Sequence, residues 1–103
     1  MESTKMRIFL NGLSHKTASI NIREQASITH DSLPSALDVL SRFTSQGVIV
    51  ATCNRTEIYT IANNAEQSAN TYSDFFKQFF NIEVDDLSQH IYKLEQDEAV
   101  AHL

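Results

Sequence analysis

The 103 residues suffice for one domain with a modest buried core, and 42% hydrophobic against 20% charged residues is ordinary for a globular chain. A net charge of −5, from 8 basic and 13 acidic side chains, does not supply the basic face with which a domain grips nucleic acid unaided, so any hold on RNA must be local or lie elsewhere. The single cysteine excludes an internal disulfide and a multi-cysteine zinc site, and no apolar stretch is long enough for a signal peptide or a membrane span; the expectation is a cytoplasmic protein without membrane association.

The first segment, "MRIFLNGLSH" at 6–15, alternates loosely and reads as a strand ending near Gly12 to His15. "KTASINIREQAS" at 16–27 offers only a short helical turn in "INIREQA". "DSLPSALDVLSRF" at 31–43 predicts an amphipathic helix: Leu33, Ala36, Leu37, Leu40 and Phe43 recur at helical spacing, Pro34 sits in the first turn, and Asp31 or Ser32 caps it. "GVIVATC" at 47–53 is a β-branched run bounded by Gly47 and predicts a buried strand; "TEIYTIA" at 56–62 predicts an alternating one, with "NR" as the break between them.

Asn64 and Gln67 resemble a capping box that opens the helix "AEQSANTYSDFFKQFF". Its stripe of Ala69, Tyr72, Phe76 and Phe79, widened by Phe75 and Phe80, belongs to a core rather than to a cofactor site. "NIEVDDLSQH" holds a short helix or turn, "IYKLE" at 91–95 a fourth strand, and "DEAVAHL" at 97–103 opens another helix. The order β-α-β-β-α-β predicts an α+β fold, the ferredoxin-like split βαβ sandwich, with an antiparallel sheet and two helices on one face. Because the last helix has barely begun at Leu103, residues 1–103 are expected to form a single domain cut from a larger protein.

Cys53 stands where one strand gives way to the next, and local sequence leaves two readings open. A thiol there either packs as a small hydrophobe or reacts as a thiolate, favoured by Arg55 and by backbone N–H groups at the strand end that could also hold an oxyanion. His15, His30 and His90 read as loop, helix-entry and turn residues, and His102 as a partly exposed helical histidine. No two histidines stand three or four apart and there is no Cys-x-x-Cys, so metal binding is not expected; no glycine-rich loop offers a phosphate cradle. "NRT" at 54–56 is a chance glycosylation match, and "DD" at 85–86 reads as solvated surface.

Two segments taken together, "GLSHKTASINIRE" at 12–24 and "GVIVATCNRTEIY" at 47–59, resemble the N-terminal catalytic domain of glutamyl-tRNA reductases, over nearly the whole chain. Ser19 replaces the proline usual in that family and Ala51 a frequent serine, and neither change touches the thiol. The resemblance implies that Cys53 attacks the ester of glutamyl-tRNA(Glu) and forms a glutamyl thioester, which hydride from NADPH then reduces to glutamate-1-semialdehyde, the entry to porphyrin and other tetrapyrrole biosynthesis. It further implies that Thr52, Cys53, Asn54 and Arg55 line the glutamate pocket, with Arg55 on the substrate's side-chain carboxylate, and that His102 is a second catalytic residue acting as base or orienting the ester.

In that family the NADPH site lies in a following domain, and a homodimer forms through C-terminal helices. No dinucleotide fingerprint occurs in these 103 residues, so this fragment is not expected to bind NADPH or to reduce. The rival readings are a ferredoxin-like regulatory or binding module with a structural cysteine, and a thiol-redox protein lacking its resolving thiol.

Overall fold

The computed structural model describes residues 7–103. Its order is β1 (Arg7–Ser14), α1 (Ile20–Gln25), α2 (Leu33–Leu40), β2 (Gly47–Thr52), β3 (Arg55–Ala62), α3 (Ala65–Phe75), a π-helical turn Phe76–Phe80, a 3-10 segment Val84–His90, β4 (Tyr92–Glu95) and α4 (Asp97–His102). The four strands form one antiparallel sheet in the order β2-β3-β1-β4. This is the arrangement expected of the split βαβ sandwich, and the α+β class holds.

Alternation divides the strands between two faces. Leu13 and Ile58 point toward the helices and pack with Ala36, Leu40, Tyr72, Phe75 and Phe76 in the main core. On the same face Asn11 Nδ2 donates to Ser68 Oγ at 3.1 Å, Thr60 Oγ1 lies 2.8 Å from Ser68 Oγ, and Thr56 Oγ1 donates to the Ala26 carbonyl at 3.0 Å. The helix side of the sheet thus carries a polar seam whose buried groups are all paired. The opposite face packs Leu10 and Tyr59 with Ala99 of α4, flanked by Ile8, Val50, Tyr92 and Leu94.

Several boundaries differ from the sequence expectation. The helix expected over 31–43 is regular only from Leu33 to Leu40, and Leu37 is exposed rather than core. The helix expected to run to Phe80 changes to a π-turn at Phe76, ending at Asn81 in the left-handed region (φ 58°). That wider turn lets Phe75, Phe76, Phe79 and Phe80 form one ring cluster, with Phe75 and Phe79 stacked at 5.4 Å. The capping box is real: Asn64 Oδ1 accepts from Gln67 N at 2.8 Å, while Gln67 Oε1 reaches back to Asn63 N at 2.7 Å. The run at 47–53 is an outer strand rather than a buried one, with Val48 54% exposed. The first strand was expected from Met6, which lies outside the described residues.

Tyr72 is 1% exposed, and among the described residues its hydroxyl is the buried side-chain polar atom left without a partner. Burial pushes its phenol pKa far above the ordinary value. A lone buried hydroxyl costs on the order of 1 kcal/mol. Tyr72→Phe is therefore expected to raise stability by about that amount, read as a higher urea midpoint at unchanged slope; a lower midpoint would mean that the hydroxyl has a partner.

Candidate active site

The β2–β3 register pairs Thr52 with Arg55, leaving Cys53 and Asn54 as a two-residue hairpin turn. The break is therefore one residue earlier than "NR", and it puts the thiol at the tip of the hairpin. Cys53 is exposed, which removes the reading in which it merely packs. Two contacts hold the tip. Arg23 of α1 donates from Nη1 to the Cys53 carbonyl at 2.9 Å and from Nε to the Ala18 carbonyl at 3.3 Å, and the His15 backbone N–H donates to the Asn54 carbonyl at 2.8 Å. The Asn54 N–H is taken by Thr52 Oγ1 at 3.1 Å, so it is not a free oxyanion donor as the sequence suggested.

Replacing Arg23 by methionine is expected to cost about 1 kcal/mol, the scale of a partly exposed bond from a charged donor. Amide exchange in the 52–55 hairpin should quicken as well. Unchanged exchange there would mean that the guanidinium does not secure the tip.

Two clefts flank the hairpin. One, of about 250 Å³, is lined by Cys53 with Leu13, Arg23, Thr52, Arg55 and Thr56. The other, of about 260 Å³, is lined by His102 with His15, Lys16, Thr52, Asn54 and Arg55. Thr52 and Arg55 belong to both. The predicted site residues thus gather around one hairpin, but Cys53 and His102 face it from opposite sides, and no hydrogen bond joins them among the described residues. Lys16, Arg23 and Arg55 put three of the chain's 8 basic residues here. His30 is exposed and away from both clefts, and His90 Nδ1 lies 2.9 Å from the Thr17 carbonyl, a tether between the 3-10 segment and the loop after β1.

Sequence reading missed Glu57. Its carboxylate is fully buried, at 0% exposure, beneath His102. Oε1 accepts from the Tyr59 hydroxyl at 3.3 Å and pairs with Arg55 Nη1 at 3.6 Å; Oε2 accepts from the Tyr92 hydroxyl and lies 2.5 Å from His102 Nε2. Gly12 makes the space: a Cβ there would stand 2.8 Å from Glu57 Cγ and 3.1 Å from the Tyr92 ring. Arg55, expected to hold the substrate's carboxylate, is thus also partly engaged by the protein's own. Gln96 turns β4 into α4 at φ 55°, pinned by its N–H on the Ile8 carbonyl at 2.8 Å and by its Oε1 on the Ile8 N–H at 3.0 Å, and this bend lays His102 over Glu57.

Burial, then the charge and hydrogen bond of Glu57, push the Tyr59 phenol up to about 12 against a weaker opposing pull from Arg55; burial and Glu57 raise Tyr92 as well. The folded value of Tyr59 lies above its ordinary 10.0. Its neutral form therefore contributes stability that is complete below pH 10 and lost as pH rises from 10 towards 12. Urea midpoints measured across that window should fall, and Tyr59→Phe should flatten the decline; an equal decline in the variant would put its origin elsewhere.

The chain's two glycines, Gly12 and Gly47, both lie inside strands against Glu57 and Leu40 side chains, not in a strand-to-helix turn. A dinucleotide's pyrophosphate has no cradle among the described residues. No helix there is long and apolar enough to cross a membrane.

Residues 11–103 match the family described as "Glutamyl-tRNAGlu reductase, N-terminal domain". Among curated proteins, the chain is 42% identical over 101 residues to the glutamyl-tRNA reductase of Prochlorococcus marinus (strain MIT 9303), 37% over 100 residues to that of Synechococcus sp. (strain CC9311), and 36% over 100 residues to that of Paenibacillus macerans. Each alignment covers 95% of this chain and 23% of the relative, so the chain spans about a quarter of the length of the proteins it matches.

Proposed function

The chain belongs to the glutamyl-tRNA reductase N-terminal domain family, and from that premise we propose that it carries the acyl-capture step in the NADPH-dependent reduction of glutamyl-tRNA(Glu) to glutamate-1-semialdehyde, the first step of tetrapyrrole biosynthesis. The observation that carries this reading is the exposed thiol of Cys53 at a latched hairpin tip, opening on a cleft that also holds two guanidinium groups. The Cys53 sulfur attacks the ester carbonyl carbon, the bond from that carbon to the ribose oxygen breaks, and the departing tRNA hydroxyl gains a proton as the thiol loses one. A rigid hairpin suits this step, because the nucleophile's direction is set before substrate arrives.

Thr52, Asn54 and Arg55 line the clefts that receive the glutamyl group. Arg55, together with Arg23, is placed to meet a carboxylate, a pairing for which the planar guanidinium is well shaped. His102 faces the second cleft and serves the proton transfer to the leaving oxygen rather than packing beside the thiol. Lys16 lines the same cleft and gives the tRNA end a local cation on an otherwise acidic chain. Among the described residues there is no dinucleotide cradle, and in this reading the hydride step with its NADPH, and the homodimer contact, are assigned to other parts of the full-length protein.

The test is to mix full-length protein with glutamyl-tRNA charged with labelled glutamate, without NADPH, and digest it. A glutamyl mass on the peptide containing Cys53, released by hydroxylamine, is expected. Label on any other residue, or none at all while turnover with NADPH proceeds, would overturn the reading.

A further inference from the structure

We propose that Glu57 is the positioning residue of the site: its buried carboxylate takes the Nε2 proton of His102 as a hydrogen bond, fixes that tautomer, and turns Nδ1 toward the cleft shared with Thr52 and Arg55. This rests on the acyl-capture reading for its purpose, though not for its geometry. Three observations carry it. Glu57 is wholly buried on the second face of the sheet, among Leu10, Tyr59 and Ala99. Its Oε2 stands 2.5 Å from His102 Nε2. The imidazole itself is not buried, since 35% of the side chain stays exposed and it lines the open cleft.

A neutral imidazole has one N–H, and facing a carboxylate that acceptor-only group takes it. Nε2 therefore keeps the proton and Nδ1 keeps a lone pair on the open side. When Nδ1 takes a proton from water in its open cleft, both nitrogens are protonated and the cation stands against Glu57; when Nδ1 gives that proton to the leaving ribose oxygen, the starting tautomer returns, and the thiol's own proton passes to water. The groups facing Glu57 are Arg55 and Tyr59 from β3, Tyr92 from β4 and His102 from α4, with Lys16 and His15 across the cleft from the imidazole. Tyr59, Tyr92 and Arg55 engage the carboxylate's other lone pairs, so its position does not depend on His102 alone.

A purely structural role is a poor account of this cluster. A buried ion pair seldom stabilises a fold more than an apolar side chain of the same volume would, and a leucine at 57 would suit a face made of Leu10, Val50 and Ala99. What the carboxylate does that leucine could not is select one nitrogen of His102.

The experiment is ¹⁵N-histidine NMR of this chain at neutral pH, with the exposed His30 as an internal reference for a freely exchanging ring. His102 is expected as the Nε2–H tautomer with unprotonated Nδ1. An Nδ1–H tautomer, or averaging like that of His30, overturns the proposal whatever any variant does. Glu57→Gln is expected to give mixed tautomers, and an unchanged spectrum in a folded Gln variant is equally fatal. Should that variant not fold, Tyr92→Phe keeps the carboxylate and should keep the tautomer; its loss in folded Tyr92→Phe protein would assign the role to Tyr92 instead. In the full-length enzyme Glu57→Gln should lower kcat about 10–100-fold with KM nearly unchanged, and a change confined to KM would contradict positioning. Because the tautomer is read without substrate, failure of acyl capture at Cys53 and failure of this assignment are separate results.

Discussion

Cys53→Ser in a full-length protein carrying this domain is expected to lose turnover of glutamyl-tRNA by a thousandfold or more, while the folded domain melts at the wild-type temperature. The two halves of that expectation have different sources. The chemical half follows from the nucleophile: a serine hydroxyl in the same place is far less ionised than a thiol, and among the described residues no base lies in hydrogen-bond contact with residue 53 to activate it. The structural half follows from exposure: the side chain is at the surface of the hairpin tip, and the contacts that hold the tip run through the Cys53 carbonyl and the Asn54 carbonyl, which serine leaves intact. Steady-state turnover together with a thermal melt of the same sample measures both. Serine protein that keeps more than about a tenth of the wild-type rate would remove Cys53 from the reaction.

The largest effect on stability is expected at Phe75. Its ring is fully buried, stacks on Phe79 at 5.4 Å and meets the rings of Phe76 at 6.3 Å and Phe80 at 5.9 Å. Truncation to alanine removes the ring from the middle of the cluster, and the rigid π-turn that follows limits how far its neighbours can close the gap. The cost is expected to be roughly 3–5 kcal/mol, out of a total of about 5–15 kcal/mol for a domain of this kind. That translates into a fall in Tm of more than about 12 °C, read by circular dichroism. A loss below about 1 kcal/mol would show that the ring cluster is peripheral to the core.

Much of the fold could be read from residues alone, because the strong signals were local. Gly47 and the β-branched run after it, the Asn64–Gln67 cap and the phenylalanine stripe each name an element without reference to the rest. Their order then leaves few topologies, and the split βαβ sheet is the one that forms. The quoted motifs also led to the hairpin that carries Cys53, Thr52, Asn54 and Arg55, and to His102. What escaped was set by contacts distant in sequence. "GVIVA" looks the same in an outer strand as in a central one, and only its pairing with β3 alone tells them apart.

Glu57 escaped for a related reason. An acid in "TEIYTIA" reads as the solvent side of an alternating strand, but β3 is central and buried on both faces, so its polar residues bond inward: Thr56 and Thr60 towards the helices, Glu57 towards Tyr92 and His102. The available signal was that Glu57 shares its face with Tyr59 and Ile61, which is not the company of a solvated acid. The π-turn at Phe76 had no signal in the helical period, since the stripe continues through it.

The sheet order has one more consequence, for the protein in bulk solution. Among the described residues β2 offers an outer rim of unpaired backbone groups along "GVIVA", with no charge and no proline to discourage a neighbour, and with Val48 more than half exposed. Mutual repulsion at −5 each opposes such pairing, a force that added salt screens, with a Debye length of about 10 Å at 0.1 M. The strand that leads into the thiol's hairpin is thus also the one that bears on solubility, and dilute buffer is expected to preserve the domain where concentrated salt invites strand-on-strand growth.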